Sequence, residues 1–257
     1  MPVAVKLGRR PAVADARVPF LAAVAPALPD PPALVDWYAG PEETPTGWLP
    51  LGNMTVSDCV IAAALHLIQS ATCYADAPIE PTEAEAITAY SEATGYDPAD
   101  PATDAGAVIL GPGGFMEWWH KTGPMLGGRR RPITAFVQVG AEHWKAAIHL
   151  FGGALFGIDL PENIVAGDDI PYGWDDASGP SAGGHCIYVC GYFESGRQTF
   201  YAVVSWGRRF LASEAFLRAV TREAVAVVDP DAIDACGLNA DGVGTAALSA
   251  AMAALRT

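Results

Sequence analysis

Residues of three types that together can perform nucleophilic acyl chemistry are spread along this chain: a cysteine, a histidine and a carboxamide. The cysteine, Cys59, opens an apolar, alanine-rich run in the stretch LGNMTVSDCVIAAALH. A helix beginning near Ser57 would place the thiol in its first turn, where unpaired N–H groups and the helix dipole favour a thiolate. The same run is also typical of a small core residue, so this segment alone leaves both interpretations open.

The histidine, His185, follows two glycines at the start of the predicted strand GGHCIYVCGY. A thiolate needs an imidazole that is distant in sequence and close in space, and His185 can supply one. The alternative interpretation is that His185 only opens the strand and has no catalytic role. A third segment, FYAVVSWG, forms the next predicted strand and ends in Ser-Trp-Gly.

Taken in this order, the three segments resemble the papain-like cysteine protease family. Members of that family carry a glutamine six residues before a helix-opening cysteine, then a Gly-His strand, and then a strand that ends in Asn-Ser-Trp-Gly. His185 follows Cys59 by 126 residues, at or just below the interval of about 130–150 that is usual in papain-type enzymes. The resemblance covers roughly residues 45–230.

The resemblance implies a catalytic role for each matched residue. Cys59 takes the position of the nucleophile and His185 that of the general base. Asn53, six residues before Cys59, takes the position of the oxyanion-stabilising glutamine, and its carboxamide offers the same kind of donor on a shorter stem. The Cys59 backbone N–H is the second expected donor.

The last segment departs from the family pattern, because Val204 stands where the family has the asparagine that orients the histidine. Valine cannot hydrogen-bond the imidazole, so the tautomer of the ring is fixed by another group or not at all. Strand alternation predicts that Ser205 points to the opposite face. Asp175 and Asp176, in the loop before His185, are therefore the candidates for reaching the ring.

A closer resemblance is to papain-like proteins of tailed phages and prophages, which carry the blocks LGN…DC, TGYDP, GG…W…KTG, LFGG, GGH and WG in this order. All six blocks are present here. The resemblance implies a virion or the host cytoplasm as the setting. It leaves two functions open: a cysteine peptidase or amidase acting on a peptide or protein substrate, and a structural virion protein with weak or no catalysis. The second would be a capsid decoration or tail component that contacts other virion subunits through an N-terminal arm.

Composition narrows the possible partners. The chain is 51% hydrophobic and 17% charged, which is typical of a globular protein, and its formal net charge is −14. This acidity argues against binding to nucleic acids and to anionic membranes, both of which require clustered Lys and Arg. Pro19 and Pro26 interrupt the apolar run near the N-terminus, so we do not expect secretion by a signal peptide.

Two further expectations concern cysteines and cofactors. The five cysteines are odd in number and lack a framework spacing, which predicts reduced thiols. No histidine has a partner at metal-ligand spacing, and we expect neither a metal nor a cofactor.

The order of predicted elements is typical of an α+β protein, since helices come first and an antiparallel sheet follows. The resemblance implies that this α+β fold is papain-like. We expect an extended, proline-rich arm over residues 1–45 and a papain-like domain over residues 46–257. Within that domain, the helical part covers about 46–130, the β part about 131–230, and a terminal helix about 241–257.

Three local expectations can be tested directly. A helix should run from about Ser57 to Tyr74, and Thr82 with Glu85 should form a capping box on the next helix. The acidic loop 161–184 should be a solvated loop or a lid over the cleft. The arm lacks apolar periodicity, so it should bury little surface against its own domain and should lie along another subunit or remain mobile.

Overall fold

A computed structural model describes residues 5–24, 28–75 and 77–230. The predicted terminal helix at about 241–257 lies outside the described residues. No helix in the described part of the chain has both the length and the apolar character needed to cross a membrane.

The described chain contains short and long helices followed by a mixed sheet. The α-helices are α1 (Leu21–Val24), α2 (Ala39–Glu42), α3 (Cys59–Tyr74), α4 (Glu83–Thr94), α5 (Phe115–Lys121), α6 (Trp144–Phe151), α7 (Glu162–Val165) and α8 (Glu214–Val220). The strands are β1 (Leu34–Asp36), β2 (Met125–Leu126), β3 (Arg129–Arg130), β4 (Ala135–Gln138), β5 (Ala154–Pro161), β6 (Gly173–Trp174), β7 (Ser181–Ser195), β8 (Gln198–Ser205), β9 (Arg208–Ser213) and β10 (Thr221–Val228). Short 3₁₀ turns lie at Pro101–Thr103 and Ala141–His143.

One large sheet carries the second half of the fold. Its strand order is β4-β10-β5-β7-β8-β9-β6, and β1 pairs with β7 beside this path. All pairings are antiparallel except that between β6 and β9. The predicted α+β class is confirmed.

The central helix α3 packs against β7 and β8. Alanine and leucine favour the helix, and its sequence CVIAAALHLIQSATCY is apolar on nearly every side. Fourteen of its sixteen residues are buried, so α3 lies inside the domain rather than on its surface. The helix predicted at about 57–74 and the capping box of Thr82 and Glu85 on α4 are both confirmed.

The acidic segment 161–184 is more structured than expected. It contains α7 and β6, and β7 already begins at Ser181. Trp174 is fully buried and stacks on Phe210 with ring centroids 5.0 Å apart, which anchors the segment to the sheet. Its four aspartates, by contrast, are exposed.

The expectation that residues 1–45 bury little surface is wrong for the part of this arm that the structure describes. Leu21, Val35 and Trp37 are all buried. The physical reason is the length of β7: β5 pairs with it only as far as Val189, and β1 pairs with the stretch beyond, at Gly191 and the following two residues. The arm therefore covers a sheet edge that would otherwise be open.

Trp37 is the main anchor of this arm. Its indole N–H donates to the Ile148 carbonyl at 2.8 Å, its own carbonyl accepts from Ser70 Oγ at 2.7 Å, and its ring meets Tyr74 edge-on. These contacts tie β1 to both α3 and α6.

Replacing Trp37 with alanine should therefore lower the free energy of unfolding by about 3–5 kcal/mol, as large-to-small changes in cores do. Denaturant unfolding measures this value. Leu34→Ala is the matched control from the same strand, because Leu34 is 56% exposed and its loss should cost less than about 0.5 kcal/mol. Equal, small effects of both changes would mean that the arm is not part of the core.

Candidate active site

The loop before α3 positions the start of the helix. Leu51 and Gly52 both have left-handed φ angles, 55° and 92°, and the N–H groups of Thr55 and Val56 converge on the Gly52 carbonyl. This tight turn brings the chain back so that α3 begins at Cys59 itself. Cys59 is thus the first helical residue, where its N–H has no intrahelical acceptor.

Asp104 fixes the approach to the helix from the other side. Its carboxylate accepts from the Ser57 N–H at 2.9 Å, from Ser57 Oγ at 3.1 Å and from the Tyr90 hydroxyl at 2.9 Å. The sequence alone does not distinguish Asp104, because it is one of several aspartates in residues 96–106, a segment whose composition is typical of turns. Only the long-range pairing with Ser57 distinguishes it.

The thiol of Cys59 lies against strand β7. The backbone N–H of Cys186, the residue after His185, donates to Cys59 Sγ at 3.3 Å. The first turn of α3 and the His185 region of β7 therefore meet directly. Cys59 is 1% exposed and His185 is fully buried.

The His185 ring is held by the end of β8. Its Nε2 lies 2.6 Å from Ser205 Oγ, and its face stacks on Trp206 with centroids 4.3 Å apart and planes 13° apart. Its Nδ1 is buried and has no hydrogen-bond partner within the described residues. Ser205 thus occupies the position from which a polar group fixes the ring.

This arrangement corrects the expectation that Ser205 points away from the ring. Tyr188 on β7 is paired with Val204 on β8, so these two side chains share one face of the sheet. His185 lies three residues before Tyr188 and Ser205 one residue after Val204, which places both on the other face. Register between the strands, and not the position of the family's asparagine, decides which side chain meets the ring.

The expectation for Asp175 and Asp176 is also wrong. Both are exposed. Asp176 accepts from the Ser178 N–H at 2.8 Å, and its carbonyl accepts from the Asn163 side chain at 3.1 Å. These bonds are local to the loop. The residue that contacts the His185 ring is therefore Ser205 and neither aspartate.

The carboxamide of Asn53 is buried next to the helix start. It is 1% exposed, and it lies beside the fully buried carboxyl of Asp58. Burial raises the pKa of Asp58 well above its usual value, and a hydrogen bond from the Asn53 side chain opposes this rise. The Asn53 carboxamide is therefore directed at Asp58, the residue before Cys59.

Burial also sets the ionisation of the thiol and the imidazole. It raises the pKa of Cys59 to about 12, although the N–H groups of Cys186 and Gly8 oppose the shift. It lowers the pKa of His185 to about 3. In this conformation the pair is a neutral thiol and a neutral imidazole.

The cleft between the two halves is filled by the chain's own N-terminal segment, residues 5–12. The Arg9 N–H donates to the Gly184 carbonyl at 3.0 Å, on the sheet side. On the helical side, the Ala107 N–H donates to the Gly8 carbonyl and the Arg10 N–H donates to the Ala107 carbonyl, both at 2.8 Å. The segment therefore bridges both walls of the cleft.

Glycine is required where this N-terminal segment passes Cys59. A Cβ on Gly8 would lie 1.9 Å from the Ser57 carbonyl oxygen, and one on Gly106 would lie 2.1 Å from the Gly8 oxygen. At the next contact, the Trp206 indole N–H donates to the Lys6 carbonyl at 3.3 Å. The segment thus covers both the thiol and the ring that stacks on His185.

The remaining histidine on α3 is structural. His66 is buried, its Nε2 lies 2.9 Å from the Leu49 carbonyl, and burial lowers its pKa to about 4. None of the four described cysteines, Cys59, Cys73, Cys186 and Cys190, forms a disulfide.

Comparison with known proteins gives a fold and no close relative. No protein-family model matches the chain, and no curated protein matches its sequence. Xylellain, a cysteine protease from Xylella fastidiosa, superposes with a TM-score of 0.62 at 17% identity, over 89% of this chain and 98% of xylellain. The chain has a papain-like cysteine protease fold.

Two zymogens of the same fold are also similar. Procathepsin B S9 from Trypanosoma congolense has a TM-score of 0.61 at 11% identity, over 87% of this chain and 86% of its own. Digestive procathepsin L 3 from the larval midgut of Tenebrio molitor has a TM-score of 0.58 at 11% identity, over 88% of this chain and 76% of its own.

Ser205→Ala should destabilise the protein and free the His185 ring. A buried Nε2 without a partner costs about 1–3 kcal/mol, measured by denaturant unfolding. The ring nitrogen signals of His185, measured by NMR, should shift as the ring loses its only hydrogen bond among the described residues.

Ser70→Ala is the matched control, because Ser70 is also a buried hydroxyl, which donates to the Trp37 carbonyl at 2.7 Å and also interacts with the Tyr188 hydroxyl. It should lower stability similarly and leave the His185 signals unchanged. Adding Val204→Asn to Ser205→Ala should not restore them, since residue 204 lies on the other face. Restoration would contradict the register argument.

Proposed function

We propose that this protein is a cysteine peptidase or amidase in which Cys59 is the nucleophile and His185 the general base. The observation that carries the proposal is the hydrogen bond from the Cys186 N–H to Cys59 Sγ at 3.3 Å, across the junction of α3 and β7. It brings a helix-opening thiol against the residue next to a buried imidazole. A nucleophile and a base that come from distant parts of the chain form the basic arrangement of nucleophilic catalysis.

Cys59 Sγ and His185 Nδ1 share no hydrogen bond in the structure, since Nδ1 has no partner among the described residues. The chemistry therefore begins with the approach of these two groups and with proton transfer from the thiol to Nδ1. The sulfur attacks the carbonyl carbon of the substrate, and the electron pair of the C=O bond moves to oxygen. Asn53 Nδ2 and the Cys59 N–H stabilise that oxyanion. His185 then gives its proton to the leaving amine as the C–N bond breaks, which leaves a thioester on Cys59.

Water completes the cycle. His185 takes a proton from water, the hydroxide adds to the thioester, and Cys59 leaves as a thiolate that recovers the proton. Throughout, Ser205 Oγ accepts from the protonated Nε2, so that Nδ1 is the nitrogen that exchanges protons. Ser205 acts here as a positioning residue in place of the family's asparagine.

Catalysis requires residues 5–12 to leave the cleft. In the filled cleft the thiol and imidazole are both neutral and excluded from solvent. Once water enters, the desolvation that shifts both pKa values is relieved, and an ion pair becomes accessible. We therefore propose a latent enzyme whose activity depends on displacement of its own N-terminal segment.

The second candidate function is that of a structural virion protein, a capsid decoration or tail component, with weak or no catalysis. The complete burial of Cys59 and His185 favours it, and the resemblance to papain-like proteins of tailed phages supplies the setting. In this alternative, other virion subunits are the partners, and the virion or host cytoplasm is the location. Turnover distinguishes the two functions.

Incubation of the full chain with a complex peptide mixture, followed by mass spectrometry of new termini, tests the proposal. Arg9→Ala, which weakens the hold on the N-terminal segment, should increase cleavage over the wild type. Adding Cys59→Ala or His185→Ala should lower the rate by about 10³-fold or more, as loss of a nucleophile or base does.

His66→Gln is the matched control for His185, because His66 is equally buried and has no role in the proposed chemistry. It should leave cleavage unchanged. Cleavage that survives Cys59→Ala would contradict the proposed nucleophile. If no folded variant cleaves any peptide, the structural alternative is favoured.

A further inference from the structure

The side chain of Arg9 is buried in a pocket beside the candidate active site. Only 2% of it is exposed. Its Nη2 lies 2.5 Å from Asp159 Oδ1 and its Nη1 lies 3.3 Å from Glu223 Oε1. Its Nε donates to the Ile158 carbonyl at 3.3 Å. The guanidinium thus meets two carboxylates from two different strands.

The environment of Arg9 is built for a cation. Burying a charge is costly unless it is paired and hydrogen-bonded, so an arginine from a terminal segment is rarely buried this deeply. Glu223 is itself only 5% exposed at its side chain. The backbone N–H of Leu110 also interacts with this carboxylate, and the second oxygen of Asp159, Oδ2, accepts from Arg222 Nε at 2.7 Å. Both carboxylates of the pocket therefore have polar partners besides Arg9.

The backbone around the pocket is shaped to admit a long side chain. A Cβ on Gly157 would lie 2.7 Å from Arg9 Cδ and 2.8 Å from Glu223 Cγ, so any larger residue there would narrow the channel. The ladder between β10 and β5 shifts register between Thr221 and Glu223. Such an irregularity changes the direction of a side chain, and here the side chain is that of Glu223, whose carboxylate lies at the end of the pocket.

The position of the pocket links it to the candidate catalytic pair. The Arg9 N–H donates to the carbonyl of Gly184, the residue before His185. The backbone N–H of Gly8, which precedes Arg9, is near enough to the Cys59 sulfur to oppose the rise in the pKa of the thiol.

The groove also continues past the pocket. A cavity of about 330 Å³ is lined by Arg9, Pro11, Ala12, Asp159, Gly184 and Arg222. A longer chain in the cleft would have room there on the far side of Arg9.

We propose that the pocket of Asp159 and Glu223 is a binding site for the guanidinium of an arginine in a peptide lying in the cleft, and that Arg9 is its intramolecular occupant. The inference rests on the proposed function and deepens it by naming the substrate class: peptides with an arginine within one or two residues of the attacked bond. Arginine suits the pocket better than lysine, because its planar fork can reach two separate carboxylates at once.

The test measures binding and does not depend on catalysis. Arg9→Ala in a Cys59→Ser background empties the pocket and prevents cleavage. The probe is the acetylated and amidated peptide of residues 7–11, Leu-Gly-Arg-Arg-Pro. Its matched control carries citrulline, the neutral isostere of arginine, at the position of Arg9.

The arginine peptide should raise the melting temperature of this variant and bind about tenfold or more tightly than the citrulline peptide. Adding Glu223→Gln should remove the preference. The variant Arg10→Ala, which changes the exposed neighbour and leaves the pocket occupied, should not bind the probe. Equal affinity for both peptides would overturn the proposal.

If Arg9→Ala does not fold, the quantity measured is instead the yield of folded protein after refolding in the presence of each peptide. The arginine peptide should raise this yield for Arg9→Ala or for Arg9→Gln, and the citrulline peptide should not. Failure of the arginine peptide to bind or rescue either variant would overturn the pocket assignment. Because these variants lack the thiol, that result would leave the proposed hydrolysis to be decided by its own assay.

Discussion

The first turn of α3 is joined to the first half of β7 by the hydrogen bond from the Cys186 N–H to Cys59 Sγ. Every other feature of the candidate site depends on this meeting. It requires the tight turn at Gly52, the hold of Asp104 on Ser57, and a sheet long enough to carry His185 to the helix end. The contact joins the helical half of the fold to its sheet half, and the cleft is the space left between them.

The N-terminal segment changes what this cleft can do. By filling it, residues 5–12 exclude water from the thiol and the imidazole, and desolvation then drives the pKa of Cys59 up and that of His185 down. The thiol and the imidazole are therefore both held neutral. The same segment contributes a buried arginine, whose two carboxylate partners stabilise the filled state. The proposed latency and the proposed preference for arginine therefore both follow from the burial of this arginine.

The sequence predicted the elements whose signals are local. The apolar run of α3 and the capping box of α4 were both identified, because helix periodicity and capping depend on neighbouring residues. The pairing of Ser205 with His185 was not, since the relative register of β7 and β8 is set across strands and shifts within the ladder. The burial of Arg9 was missed for the same reason: its partners Asp159 and Glu223 lie about 150 and 214 residues away.

The central claim is that the N-terminal segment holds Cys59 neutral and shielded. The most direct test is the pH dependence of Cys59 alkylation by iodoacetamide, followed by peptide mapping, with the partly exposed Cys73 as internal reference. In the wild type, the rate at Cys59 should be slow and should rise through the alkaline range without a plateau, because the pKa of the thiol is about 12. In Arg9→Ala the rate should be faster, with its midpoint at lower pH. A fast wild-type reaction that levels off near neutral pH, or identical profiles for the two proteins, would contradict the account.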